Sequence, residues 1–391
     1  MKKEQSALSI AIGIACVWLG THFGPGVASG TQILIYWVKY GLWGAIVSVL
    51  SMGLLGYCIY CSAEFARIYK TYNYADWARE VWGFKWIVYL LDISVLIISV
   101  SSLGASLNAI GSLLNQEFGL NYWIGVVIVI VLTALLCAYG SKLVSIASTY
   151  MAYIILIVLA IVIILCASSG QLDLGRAVSE SYAGEIDGIE PNLLKAIWSG
   201  VIYASMQGIV IASITSVSGQ LPNRSTSKKA AIIGFGGNAL LLVALSLFFL
   251  SATTVEGFNV MDMDTNPLPF YGLLTALGFT KMRFVYVVTV FVAVLSTAVG
   301  LCFNAVSRYS KLYRKQTEIA PKKDAVLVVV LLLVCTLASR FGIVALVSTG
   351  FTIAGYLNLP LLIFPAIFLA RRKISKKHLA DKHIDAPGIE D

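Results

Sequence analysis

The chain has 391 residues, of which 58% are hydrophobic and 12% charged, and it carries a formal net charge of +8. With a mean hydropathy of +0.85 it is excluded from the soluble domains, in which charged residues make up about 25%. The positive charge is explained below by membrane topology, so no nucleic-acid partner is inferred from it.

Apolar runs long enough to cross a bilayer, about 20 residues each, recur ten times. They lie near 8–37, 41–69, 84–113, 121–139, 142–169, 192–221, 228–255, 282–312, 324–341 and 342–370. The start, Met1-Lys2-Lys3-Glu4-Gln5, is followed by a run that outlasts a signal peptide and has no small-residue cleavage site, so it reads as an uncleaved first span. With the N-terminus inside, only Lys39, Arg176, Lys195, Lys281, Arg283 and Arg340 of the 28 Lys and Arg residues fall outside. The positive-inside rule thus supports both the count and the orientation: a multi-pass protein of the cell membrane with both termini cytoplasmic. Ten spans divide into five plus five, and an odd number per half inverts the second half in the membrane. The expected units are a first repeat at 1–170, an external loop at 171–191, a second repeat at 192–370 and a basic cytoplasmic tail at 371–391. Direct self-similarity is faint, limited to Val144–Thr149 against Val344–Thr349.

The first span contains Leu19-Gly20-Thr21-His22-Phe23-Gly24-Pro25-Gly26-Val27-Ala28-Ser29-Gly30. Glycine loosens a helix, and Pro25 removes a donor and clashes with the preceding turn. The competing reading is a packing face, since Gly20/Gly24 and Gly26/Gly30 both fit the small-xxx-small pattern. A proline between the two pairs favours a break. Irregular backbone at bilayer depth is tolerated only where protein or a water-filled cavity satisfies it, so the break points to a solute site at the midplane. The inner stub leaves carbonyls free around Gly20 and Phe23, suiting a cation; the outer stub at Gly26-Val27-Ala28 turns N–H groups toward an anion. His22 flanks the break. It could bind a carboxylate, carry a proton, or be a satisfied buried histidine.

Along the rest of the chain, Tyr74–Trp82 reads as an interfacial helix with tryptophan anchors. Asp92 in the third span is an intramembrane carboxylate, for an inner-gate ion pair or proton coupling. The acidic external connections hold Asp173 to Glu190 and Glu256 to Asp264, and Leu273–Phe279 could cover an external vestibule. The sixth span carries Tyr203, Ser205 and Gln207-Gly208 at mid-depth, matching the break in the first. Asn238 and Asn304 read as helix bridges. In the eighth span, Ala293, Ser296 and Thr297 share one helix face, offering hydroxyls and a carbonyl to a hard cation. Gly350, Gly355, Asn358 and Pro360 suggest a kink in the tenth. All seven cysteines lie within spans, with no disulfide or metal spacing, and read as small core residues. Two of the three histidines, His378 and His383, sit in the tail, which argues against an intramembrane enzyme.

The motifs G-x-x-F-G-x-G in span one and A-x-x-S-T in span eight resemble the second sodium site of transporters with the LeuT fold. Ten spans in a five-plus-five repeat resemble the amino acid–polyamine–organocation superfamily, and Gly24–Gly30 is most similar to the YkvI-type bacterial membrane proteins. The resemblance implies an all-α membrane fold with helices one and six interrupted. It implies one sodium held by Gly20, Phe23, Ala293, Ser296 and Thr297. It also implies substrate between Thr21, His22, Gly24, Gly26 and Val27 of span one and Tyr203, Ser205 and Gln207 of span six. Val27 replaces the asparagine that holds a sodium beside the substrate in some symporters, so one ion is expected. The expectation is a sodium symporter of a small amino acid or zwitterion. Proton coupling through His22 or Asp92 is the alternative, ahead of a channel or a solute sensor.

Overall fold

The structure, a computed structural model, describes residues 6–138, 141–309 and 321–389, with side chains described for all of these except 138, 141–153, 156, 303–304, 307–309 and 321. Asn304 and the echo at 144–149 therefore lie outside the described side chains.

Helices begin where capping residues dictate. Asn73, Asp173, Asn192 and Asn223 each accept a hydrogen bond from a backbone N–H three residues on, at 2.8–3.0 Å, satisfying donors that have no intrahelical partner. The spans are α1–α3 (Ala7–His22, Pro25–Ala28, Thr31–Tyr36), α4 (Leu42–Tyr69), α6 (Ile87–Phe118), α7 (Tyr122–Ala138) and α8 (Ser141–Ser168) in the first half. In the second they are α10–α11 (Leu193–Met206, Val210–Val217), α12 (Arg224–Ser251), α14 (Thr280–Tyr309), α15 (Pro321–Ser339) and α16–α17 (Gly342–Ala345, Phe351–Asn358), continued to Ala370. Between spans two and three lies the expected interfacial helix α5 (Tyr74–Trp82), and outside the spans lie α9 (Leu174–Ala183), α13 (Pro269–Ala276), and α18 and α19 (Arg371–Lys373, Lys376–Asp381) of the tail. Six helical segments are by themselves long and apolar enough to cross a membrane.

Four of the five counterpart pairs pack on each other, one on six, two on seven, three on eight and four on nine, while span one also packs on span seven and span five on span eight. That pattern is what a two-fold axis in the membrane plane produces, and the protein is an all-helical membrane fold of ten spans in a five-plus-five inverted repeat.

Span one breaks twice. At the first break Gly24 is extended (φ −94°, ψ −179°). At the second, Gly30 has φ +89°, a left-handed conformation that glycine reaches without strain. The sixth span is interrupted more mildly, by a 3₁₀ turn at Gln207–Ile209. The expected kink in span ten is a series of π-type turns at Leu346–Gly350, Leu359–Ile363 and Pro365–Ala370, which open the hydrogen-bond ladder as proline requires.

At the face where the chain begins and ends, the carboxylate of Glu64 (0% exposed) is held by Arg67 at 2.7 Å, Arg224 at 3.1 Å and the Ser227 hydroxyl at 2.9 Å. The tail completes the network: the carbonyl of Pro387 accepts from Arg67 and that of Gly388 from the Arg224 backbone N–H. Removing one member of a buried ionic cluster leaves the others uncompensated. Glu64→Ala is expected to cost about 3–5 kcal/mol; an unchanged thermal unfolding temperature in detergent would contradict this role.

Candidate functional site

Pro25 has no N–H to offer the Thr21 carbonyl, and the Gly24 N–H turns back to the carbonyl of His22 at 3.0 Å. Among the described residues the carbonyls of Gly20, Thr21 and Phe23 therefore accept no backbone hydrogen bond, as expected of the inner stub. The outer stub differs from expectation. Its helix is four residues long, and the N–H groups of Val27 and Ala28 both close on the Gly24 carbonyl at 3.1 and 3.0 Å. Only Gly26 keeps an N–H outside the helical ladder, so the stub is a poor anion site by itself.

His22, 2% exposed, ties the end of the inner stub to spans six and seven. Its Nδ1 lies 2.5 Å from Asn238 Oδ1 and its Nε2 2.7 Å from the Tyr203 hydroxyl. Asn238 Nδ2 donates to the Gly234 carbonyl at 2.8 Å, which turns the amide oxygen to the histidine. The network thus assigns the proton to His22 Nδ1 and leaves Nε2 to accept from Tyr203. Both ring nitrogens of the neutral side chain are satisfied. Asn238 is the helix bridge expected of it, with His22 as its partner.

Tyr203 is wholly buried beneath the rings of Tyr36 and Trp37, whose centroids lie 5.2 and 4.7 Å away. Gln207, Trp37 and Gln32 surround its hydroxyl. Trp37 Nε1 and Gln32 Nε2 are buried donors that reach hydrogen-bond geometry neither with that hydroxyl nor with any other group. Buried unpaired donors cost about 1–3 kcal/mol each, and two of them stand near this one hydroxyl.

The remaining expected site residues divide. Gly26 lies under Gln32, whose Oε1 is 2.7 Å from where a Cβ would stand. Thr21 is exposed and its hydroxyl bonds to the carbonyls of Val17 and Trp18, while Ser205 bonds to Val201 of its own helix at 2.7 Å. Val27 is fully buried. In span eight Ala293 is buried, and Ser296 and Thr297 are half-buried. Thr289 and Thr336 return their hydroxyls to the carbonyl four residues back, whereas Ser296 and Thr297 make no hydrogen bond among the described residues. None joins this patch to span one directly. The two spans are registered instead by the Tyr286 hydroxyl, which donates to the Ala28 carbonyl at 2.9 Å. Asp92 accepts from the Tyr74 hydroxyl, joining span three to the interfacial helix.

The two sides of the site differ. Toward the face opposite the termini, Pro25–Ala28 are buried, the Thr31 hydroxyl donates to the Pro267 carbonyl at 2.7 Å, and the Phe270 N–H donates to the Ser29 carbonyl at 3.2 Å. The loop at Pro267 and the start of α13 thereby cover the site, through Pro267 and Phe270 rather than through the Leu273–Phe279 piece. α13 is anchored by Tyr271, which donates to Glu117 at 2.8 Å, with Arg283 on the same carboxylate at 2.7 Å. Burial and the neighbouring carboxylate push the Tyr271 phenol up to about 12, so it stays a donor at physiological pH. Beyond Tyr36 a cavity of about 510 Å³ remains between spans one, six and ten. Toward the termini, α1 packs chiefly on spans six and seven, and Gly13, Cys16, Gly20 and Thr21 are exposed. Cys16 is thus the one cysteine outside the core.

No family model matches the chain. It is 21% identical over 360 residues to the uncharacterized membrane protein YkvI of Bacillus subtilis (strain 168), covering 91% of this chain and 95% of that one. Among solved structures it is similar to MhsT in complex with L-phenylalanine (TM-score 0.63, 13% identity, 92% of this chain and 96% of that one). It is also similar to a variant of the Eremococcus coleocola manganese transporter (0.62, 13%, 99% and 84%) and to a Na+-coupled sialic acid symporter (0.56, 12%, 92% and 78%). These likenesses show the LeuT fold.

The two breaks differ in what they tolerate. A Cβ at Gly24 meets nothing within 4 Å, whereas at Gly30 it would lie 2.4 Å from the Phe249 ring in a left-handed backbone. Gly30→Ala is expected to cost more than about 1–2 kcal/mol, and Gly24→Ala much less. Equal melting temperatures for the two variants would contradict the second break.

Proposed function

We propose that the protein is a sodium-coupled secondary transporter that carries a small amino acid or related zwitterion by alternating access. The observation that carries this reading is the break in span one, where backbone carbonyls accept no hydrogen bond among the described residues. Free carbonyls at Gly20 and Phe23 supply oxygens from one side, and the hydroxyls of Ser296 and Thr297, unbonded among the described residues, supply them from the other. From Tyr286, Ser296 and Thr297 lie about 15 Å along the helix, descending beside span one in the direction that leads from Ala28 to Gly20. An all-oxygen set of this kind suits a hard cation such as sodium. The binding of L-phenylalanine by MhsT and the Na+ coupling of the sialic acid symporter support the reading.

Sodium is preferred to a proton because His22 already has both nitrogens engaged. A second proton on Nε2 would oppose the Tyr203 O–H that donates to it. Coupling follows if ion and solute together favour a closed state that neither stabilises alone.

Thermal stability of the detergent-purified protein in sodium, lithium, potassium and choline chloride tests the ion. A rise specific to sodium, lost in the Ser296→Ala/Thr297→Ala double variant, is expected. Indistinguishable cations would overturn sodium coupling.

A further inference from the structure

We propose that Trp37 and Gln32, on the outer part of span one, bind the carboxylate of an α-amino acid, and so set which end of the solute points away from the termini; this rests on the transport reading above. The argument is one of hydrogen-bond direction. Asn238 fixes the proton of His22 on Nδ1, and His22 Nε2 takes the proton of the Tyr203 hydroxyl. Around the Tyr203 oxygen stand the Trp37 indole N–H and the Gln32 amide N–H₂, both fully buried and both without an acceptor. An indole is a donor only, and the Gln32 oxygen is turned to Gly26. The groups left over are therefore donors.

A ligand that completes the site must bring acceptor oxygens. An ammonium in the same place would face donors with donors. A carboxylate offers two oxygens with about four lone-pair sites, and hydrogen bonds to it are about twice as strong as neutral ones. None of Gln32, Tyr36, Trp37, Tyr203 and Gln207 is cationic, so these groups leave the buried charge of a simple carboxylate uncompensated. An α-amino acid carries its own ammonium, which the free carbonyl of Thr21 can accept. Gly26 is a positioning residue: a Cβ there would push the Gln32 amide off the break.

The test uses the full-length protein in sodium with three matched series as probes, namely L-amino acids, their carboxamides and the decarboxylated amines. Binding is read as a shift in melting temperature and titrated for affinity. The acids are expected to bind, the amides more weakly and the amines not at all. Trp37→Phe, which removes the indole N–H together with the five-membered ring, and Gln32→Leu are each expected to weaken acid binding about tenfold or more. Trp37→Phe also empties part of a buried site and is expected to lower the melting temperature without ligand, whereas Gln32→Leu, close in volume and losing a donor that has no partner among the described residues, should not. Amines that bind as well as acids, variants with wild-type affinity, or a Gln32→Leu variant destabilised without ligand would each overturn the assignment while leaving transport standing. If no compound of any series binds in sodium or potassium, the amino-acid reading itself fails, and this inference with it.

Discussion

A backbone that leaves the helix inside a bilayer must have its polar groups satisfied by protein, water or cargo, and the break at Phe23–Pro25 sets that requirement here. The surrounding architecture answers it unevenly. Spans six and seven grip His22 through Tyr203 and Asn238, which fixes the end of the inner stub. The outer stub is fixed by Tyr286 on the Ala28 carbonyl and by the loop helix on Ser29 and Thr31. Between these grips, the carbonyls of Gly20, Thr21 and Phe23 and the donors of Trp37 and Gln32 are left unmade. A protein that held this break only for packing would have no reason to leave both acceptors and donors open within a few residues of each other.

The inverted repeat explains why the break lies at the centre. Counterpart spans pack on each other across the two-fold axis, so the first and sixth spans meet at mid-depth with their interruptions side by side. The axis relates the two faces of the membrane, yet the structure is asymmetric about it. α13 and the Glu117–Arg283–Tyr271 cluster lie on the side away from the termini, whereas one face of the first half of span one is exposed. The buried Glu64 cluster and the docked tail hold spans two, seven and ten together at the terminal face.

Much of this was legible in the sequence because it rests on local chemistry. Ten apolar runs, the bias of lysine and arginine, and the Gly24-Pro25-Gly26 interruption follow from composition and from proline's missing donor. What was not legible depends on partners distant in the chain. Gly30 makes a left-handed turn against the Phe249 ring of span seven, and nothing near Gly30 announces it. Trp37 carries no sequence signal that separates it from the other aromatics of the spans. Gln32 did carry a signal, an amide in an apolar run, the same reasoning that singled out Gln207. Glu64 was hidden among basic residues whose charge read as topology alone. The expectation that the outer stub presents N–H groups to an anion failed because Val27 and Ala28 spend theirs on the Gly24 carbonyl. Thr21 and Ser205 looked like ligands in sequence, yet their hydroxyls are committed to their own helices.

The central claim is that solute and sodium bind together at the broken span and cross the membrane together. Uptake of radioactive sodium into proteoliposomes, driven by a gradient of the amino acid that stabilises the protein best, tests it directly. The account predicts uptake that requires that amino acid and disappears in the Ser296→Ala/Thr297→Ala variant. Solute movement without any sodium movement, or sodium movement indifferent to solute, would contradict it.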